Sequence, residues 1–353
     1  MKPRVLIPTN DTGFASDLAE AYSRAGYEAI VGKENFFLTT AEFDIVHLHW
    51  PEEFSDWVIP DDHTLTRIEK ALDNWSSRSR VLLSVHNLYP HGYEGNRKFY
   101  DLYSMFFEKV HFLSYFSKAS MLLVKEYYGE IADKPCLMHG LFNYERLRKS
   151  DSSRERTRKE FGLEESDFVI LVLGLIRNWQ EIQLIRDSFN RCQVPGKRLL
   201  MVSRYVESGN IWRQRIRRRQ WHIWLKWKNA VIYNKYVPDE DIHKFLNATD
   251  VVLVPRINQI SSGLLPLAMT FGKVIIAPDH GAFPEYLQGT ENPLYESGNP
   301  DDLAKKLGLA SKLDVQVIGK SNEKIAKDWT WDGIVAKSLC LIYGNNPIDS
   351  VSR

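Results

Sequence analysis

One stretch constrains the fold more than any other: Asp250 to Tyr286, DVVLVPRINQISSGLLPLAMTFGKVIIAPDHGAFPEY. The apolar run Val251 to Val254 is short and β-branched, which suits a buried strand. Pro255 stops it. Ser261-Ser262-Gly263 then opens a helix from Leu264 to about Phe271. Pro266 is tolerated there, because the first helical turn has no intrahelical use for its N–H. Gly272 ends the helix, and Val274 to Ala277 reads as the next buried strand. A serine and glycine turn at a helix N-terminus offers backbone N–H groups at the positive end of the dipole. That arrangement binds anions, phosphate above all, although an ordinary serine cap fits the same residues.

The same unit recurs along the chain. Arg4 to Pro8 reads as a strand, Asn10 to Gly13 as a turn, and Phe14 to Arg24 as an amphipathic helix. Strands follow at Asp44 to His49, Arg80 to Val85, Lys109 to Leu113 and Cys136 to His139, with a helix from Ser117 to Tyr128. The segment Arg148 to Arg158, RKSDSSRERTR, is charged and lacks apolar periodicity, so it reads as a linker with the first exposed turn of a helix. A second series then runs through strands Phe168 to Leu173, Arg198 to Val202 and Ala230 to Tyr233, with a helix from about Glu181 to Arg191 and another capped at Asp239. A final helix spans about Ser321 to Ile342 and ends at Gly344. The fold class is α/β: two Rossmann-like, doubly wound domains facing a cleft. The expected boundaries are 1–150 for the first domain, 151–320 for the second, and 321–353 for a C-terminal helix and tail that crosses back towards the first.

In parallel sheets, ligands gather at the carboxyl ends of strands. Two strands here end in polar clusters: His47, His49, Trp50 and Glu52 in one case, His86, Asn87 and His91 in the other. His47 and His49 alternate with Val46 and Leu48, so they share a face, either as core histidines or as substrate contacts. His86 lies in the loop after its strand, where a functional role is favoured. Gly13 alone lacks the full glycine pattern of a dinucleotide site.

Composition narrows the function. A net charge of +1 over 353 residues argues against a nucleic-acid binder. Cys136, Cys192 and Cys340 are far apart and outside any metal-ligand spacing, which fits a reducing compartment without structural zinc. No apolar run is long enough to cross a bilayer, and MKPRVLIPTN lacks a signal-peptide core, so the chain is expected to be cytoplasmic. Asp239-Glu240-Asp241 follows Pro238 directly, so it reads as a helix start and not as a metal motif.

Together, YVPDEDIHKFLNATDVVLVP, the Ser-Ser-Gly helix, the following strand, the Gly281 to Glu285 loop and the N-terminal HLHW and VHN stretches resemble the GT-B fold glycosyltransferases. The likeness covers nearly the whole chain and points to glycosyltransferase family 4 and related bacterial polysaccharide enzymes. It implies transfer of a sugar from a nucleotide diphospho-sugar to a hydroxyl of a glycan or lipid-linked acceptor. The chemistry would be hexosyltransferase-like, with no metal and no cofactor. The second domain would bind the donor through Arg177, Gln180, Ser261, Ser262, Gly263 and Glu285. The first would bind the acceptor through Gly13, His47, His49, Trp50, Asn87 and His91. His86 is the candidate general base, with Asp11 and Glu52 as alternatives.

Some residues depart from the family's pattern. Where the family carries Gly-Arg…Lys-Gly, this chain reads GLIRNWQE, with Leu175 at the Arg position and Gln180 at the Lys position. Arg177 remains as a cation that can bind phosphate oxygens bidentately. The family's two glutamates, eight positions apart, are Gln259 and Leu267 here. These changes keep two alternatives open: a catalytically silent GT-B partner subunit that binds sugar or nucleotide, and a nucleotide-sugar epimerase of the same fold. Finally, residues 211–228, IWRQRIRRRQWHIWLKWK, carry seven Lys and Arg, four Trp and no acid. They read either as an interfacial helix on an anionic membrane or as a solvated helix packed on the second domain.

Overall fold

The structure is a computed structural model that describes residues 2–38, 40–90, 92–148, 153–205, 211–235, 237–257 and 260–344. The chain forms two compact units, Met1–Phe142 with Trp329–Arg353, and Asn143–Asp328.

The first unit contains β1 (Arg4–Ile7), α1 (Thr12–Arg24), β2 (Glu28–Val31), β3 (Ile45–Leu48), α2 (Asp62–Arg78), β4 (Arg80–Val85), α3 (Arg97–Lys109), β5 (Phe112–Tyr115), α4 (Lys118–Tyr128) and β6 (Cys136–Met138). Its six strands are parallel and ordered β2-β1-β3-β4-β5-β6. The order reverses between β1 and β3, which is where such a sheet opens a crevice for ligands. One face packs on α2 and α3 through Trp75, Phe99, Phe106 and Phe107. The other packs on α1 and on the C-terminal helix Trp331–Tyr343, through Val5, Ile7, Leu18, Tyr22, Val335 and Ile342. Each helix starts where a short polar side chain accepts a first-turn N–H: Asp11 from Phe14, Asp61 from Thr64, Asn96 from Phe99 and Ser117 from Ser120.

The second unit contains α5 (Arg154–Glu160), β7 (Phe168–Ile176), α6 (Trp179–Arg191), β8 (Lys197–Tyr205), α7 (Ile211–Trp227), β9 (Val231–Ile232), α8 (Asp239–Asn247), β10 (Val251–Leu253), α9 (Leu264–Thr270), β11 (Val274–Pro278), α10 (Phe283–Leu287), β12 (Leu294–Tyr295), α11 (Pro300–Ala310) and α12 (Val315–Lys327). The parallel sheet runs β12-β11-β10-β7-β8-β9, so its order reverses between β7 and β10.

Several sequence expectations change. The helix expected over Ser321 to Ile342 is two helices. α12 belongs to the second unit and Trp331–Tyr343 to the first, because Thr330 caps a new start by accepting the N–H of Gly333 at 3.1 Å. Gly13 lies in the first turn of α1 and not in a turn before it. Asp239 is the first residue of α8, with Pro238 at the cap position. The polar linker ends in α5, and its Arg158 is fully buried.

Candidate functional site

In the second unit, the strand ends at the reversal carry two arginines. β7 runs out through Gly174, at φ +99, a backbone that favours glycine. Leu175, Ile176 and Arg177 follow, and Asn178 then caps α6 by accepting the N–H of Glu181 at 2.9 Å. The Glu181 side chain reaches back and accepts the backbone N–H of Arg177 at 2.9 Å. This is close to a capping box, and it explains why α6 starts at Trp179 and not at Glu181.

Three residues beyond β10, Arg256 comes in from the other side. Its Nη1 donates to Glu181 Oε2 at 3.1 Å and to the Leu175 carbonyl at 2.8 Å. Arg256 and Glu181 are 5% and 1% exposed, so the pair is buried. The Arg256 Nε is a buried donor with no hydrogen-bond partner. The Arg177 guanidinium is pulled down to about 9, first by burial and then by the charge of Arg256, with Glu181 opposing. At neutral pH it keeps its positive charge. One carboxylate therefore stands among two guanidinium groups at the topological switch point. Such a local excess of positive charge suits an anionic ligand.

Arg256 was not among the candidates, because the loop after β10 was read only for its strand-stopping proline. The strand-end rule applied to His49 and His86 points to it equally. The other donor candidates lie nearby in the chain but are less committed. Gln180 and Glu285 are exposed, in the first turns of α6 and α10. Ser262 accepts the N–H of Leu264 at 3.3 Å, so one first-turn donor of α9 is already used. Gly263 caps that helix with no side-chain bond. A Cβ there would meet the Tyr144 hydroxyl at 3.1 Å. Gln259 lies outside the described residues, and Leu267 is buried.

In the first unit, four histidines converge. His47 is 1% exposed and both ring nitrogens are used: Nδ1 with the Tyr22 hydroxyl at 3.0 Å and Nε2 with Ser84 Oγ at 2.8 Å. Its ring is held between α1 and β4 by these two bonds. His49 Nδ1 meets His86 Nε2 at 3.1 Å, and the His86 ring stacks on Trp50 at 4.3 Å. Phe14 touches His49, Trp50 and His86 edge-on. His139 is buried against Phe116, with neither ring nitrogen hydrogen-bonded.

Burial pushes His47 down to about 3 and His139 to about 4, and holds His49 and His86 well below the usual imidazole range. All four rings are neutral at neutral pH. A base held that low takes up a proton weakly, so the geometry fits His86 better as a hydrogen-bonding group that orients a hydroxyl. Glu52 is fully buried. It accepts from Tyr103 at 2.6 Å and Asn87 at 3.1 Å, and burial raises its pKa. Its carboxylate is bonded within the core, and Asn87 is tied to it. Asp11 is exposed at the end of β1, although it also caps α1. Gly13 adjoins it in the helix, and His91 lies outside the described residues. Among the described residues no group of three or more His, Cys, Asp or Glu side chains is arranged to hold a metal ion. In α8, Asp239 pairs with Arg146 at 2.9 Å and Asp241 with Lys244 at 2.6 Å.

Two parallel six-stranded sheets with flanking helices define the GT-B architecture, and solved structures share it. The chain is similar to sucrose-phosphate synthase from Thermosynechococcus elongatus, with a TM-score of 0.72, 14% identity, and 97% and 98% of the two chains covered. It is also similar to HepE from Anabaena, solved with UDP-glucose, with a TM-score of 0.70, 14% identity, and 96% and 99% covered. A third similar structure is the catalytic domain of starch synthase IV from Arabidopsis thaliana, with a TM-score of 0.66, 12% identity, and full coverage of both chains. Among curated proteins, none matches the chain in sequence. Residues 167–310 match the family described as Glycosyl transferases group 1. That match lies within the second unit, and the chain has the GT-B fold.

Proposed function

We propose that the chain transfers a sugar from a nucleotide diphospho-sugar to a hydroxyl of a glycan or lipid-linked acceptor in bacterial polysaccharide or glycoconjugate synthesis. The observation that carries this is the Arg177 and Arg256 pair around Glu181, at the switch point of the second unit, where the group 1 match lies. The HepE structures with UDP and with UDP-glucose support a uridine nucleotide as the first donor to test. In this reading the two arginines take the leaving diphosphate, with Gln180, Ser261, Ser262, Gly263 and Glu285 around the donor. Charge-assisted contacts of this kind strengthen as negative charge develops on the phosphate, which lowers the barrier. No metal or other cofactor is needed, and EDTA should leave turnover unchanged. On the acceptor side His86 orients the hydroxyl, Trp50 and His49 shape its surroundings, and Asp11 is the exposed carboxylate available for its proton. The reading places the protein in the cytoplasm and includes contact with an anionic membrane surface through residues 211–228.

The test is a thermal-shift panel of nucleoside diphosphates and their sugars. A ligand that binds only the folded state raises its stability. UDP or GDP, with its sugar, should raise the melting temperature of the wild type. Arg177→Ala should abolish most of that shift and lower kcat/KM by about thirtyfold to a thousandfold, the equivalent of about 2–4 kcal/mol. Wild-type turnover in a folded Arg177→Ala protein would remove the arginine from the reaction. Nucleotide stabilisation without any transfer would favour the silent partner subunit. Donor turnover without an acceptor would favour the epimerase.

His86→Asn separates the two subsites. It should reduce kcat by at least about tenfold, since it removes a hydrogen bond that orients the reacting hydroxyl, and leave the nucleotide-induced thermal shift intact. Loss of that shift would place His86 in the donor site or the core.

A further inference from the structure

We infer that the outer face of α7 is a membrane-docking surface for anionic lipid. α7 is apolar on two faces. Inward, Trp221 and Leu225 are 4% and 1% exposed and join the core of the second unit. Trp224 stacks on Trp221 at 5.0 Å and meets Phe189 edge-on. Outward, Trp212, Ile216, Ile223 and Trp227 are 71%, 58%, 58% and 75% exposed. At helical spacing these four fall within about 60° of the helix circumference, so they form one stripe about 22 Å long with a tryptophan at each end.

Cations border the stripe. Arg215, Arg219 and Lys226 are exposed along one edge and Arg213 lies on the other. The segment from Ile211 to Lys228 contains no acidic residue to offset them. Beside Arg213 and Arg217 an open recess of about 480 Å³ is lined also by Trp179, Ile216 and Gln220. There the Arg217 guanidinium lies 5.1 Å from the Trp179 ring centre.

An anionic bilayer surface answers every part of this arrangement. Tryptophan rings favour the boundary between headgroups and acyl chains, and isoleucine gains by leaving water. Arginine and lysine extend along apolar surface while their charged ends stay among phosphates. The recess gives a lipid phosphate a place beside Arg213 and Arg217. The inner face holds the helix in place, so docking does not have to order it first. Among the described residues no helix is long and apolar enough to cross a membrane, so contact through α7 lies along the surface.

This deepens the reading of a lipid-linked acceptor and rests on it only for biological purpose. Vesicle binding requires neither donor nor turnover, so it can fail while glycosyl transfer stands, and the reverse. The experiment is flotation of the full-length protein with vesicles of phosphatidylglycerol and phosphatidylcholine, or of phosphatidylcholine alone. Binding is expected to the first and not to the second, and to weaken as salt shortens the reach of exposed charges. Arg215→Gln, Arg219→Gln and Lys226→Gln combined should lower the partition coefficient by about a hundredfold, at about fivefold per charge. Trp212→Ser with Trp227→Ser should lower it by at least about tenfold. Both variants should keep the wild-type melting temperature, since their side chains face outward. Three outcomes overturn the proposal: no binding to anionic vesicles at low salt, equal binding by wild type and both variants, or tighter binding to a single-stranded oligonucleotide than to the vesicles.

Discussion

Acidification to about pH 5 should unfold the first unit before the second, because it holds four neutral histidines, of which His47, His49 and His139 are buried. His47, His49, His86 and His139 all have folded pKa values below the ordinary imidazole value, with burial the largest cause for each. The sign follows from proton counting. Below the usual value near 6.5 the unfolded chain binds protons at these sites and the folded chain does not. Stability therefore rises with pH across this window and falls as the pH drops. The loss begins near pH 6.5 and continues until the folded rings protonate in place, about 4 for His139 and about 3 for His47.

The size is large. A histidine whose ring stays neutral forfeits about 1.4 kcal/mol for each pH unit below 6.5, so His47 and His139 together lose about 3 kcal/mol near pH 5.5, and His49 and His86 act in the same direction. Domains are stable by only about 5–15 kcal/mol in total. Glu52 works in the opposite sense. Burial raises its folded pKa, so falling pH relieves a penalty there. Thermal melts followed by circular dichroism across this range should show one transition moving steeply down with pH and one moving little. His139→Phe tests the assignment. The ring has no hydrogen bond to lose and packs edge-on against Phe116, so an apolar ring fits the site. The variant should melt with a shallower pH dependence, by about one proton. A melting curve flat from neutral pH to pH 5 would contradict the whole account.

What could be read from the sequence, and what could not, follows from the range of each interaction. Most strands were legible, β2 and β12 excepted, because short β-branched runs between glycine, proline and serine have few other uses. Strand-end chemistry was legible in outline for the same reason. Whether a given polar side chain faces ligand or core was not. Alternation places His47 and His49 on one face, but the Tyr22 and Ser84 partners that make His47 a core residue come from α1 and β4. Glu52 behaves likewise, since Tyr103 approaches it from α3. Arg256 was missed although it stands next to the strand-stopping proline, because its partner Glu181 is 75 residues away. A local signal did exist on the other side of that pair: Asn178 followed by Glu181 is a helix-start pattern. The basic stretch over α7 was read correctly as helix by composition, but which tryptophans face inward depends on what packs beneath them.

The linker segment does open a helix, with its first turn at the surface, but the burial of Arg158 was not foreseen, and it carries the second large prediction: Arg158→Ala should be among the most destabilising single substitutions in the second unit. Within a charged string, Arg158 looked like an exposed residue of an early helical turn. It is 1% exposed. Its Nε donates to the Ala248 carbonyl at 3.1 Å, and its Nη1 to the carbonyls of Glu164, Glu165 and Asp167 at 2.8, 2.9 and 3.0 Å. Its Nη2 donates to Asp250 Oδ2 at 2.7 Å. The same Asp250 oxygen accepts the N–H of Val169 at 2.7 Å, at the start of β7. One guanidinium thus closes the turn before β7 and ties α5 to the entrances of β7 and β10, the two strands whose far ends carry Arg177 and Arg256. Removing it leaves carbonyls and a carboxylate buried with fewer partners, which should cost about 3–5 kcal/mol. For a unit of this size that is a fall of about 10 °C in melting temperature. Arg158→Lys should recover only part, because an ammonium cannot span the fork. The neighbouring Arg154→Ala is the internal control. Arg154 also pairs with Asp250, at 2.6 Å, but is 39% exposed and leaves Asp250 bonded to Arg158. Its loss should cost about 1 kcal/mol or less. If Arg158→Ala melts within about a degree of Arg154→Ala, the buried fork does not hold the sheet together.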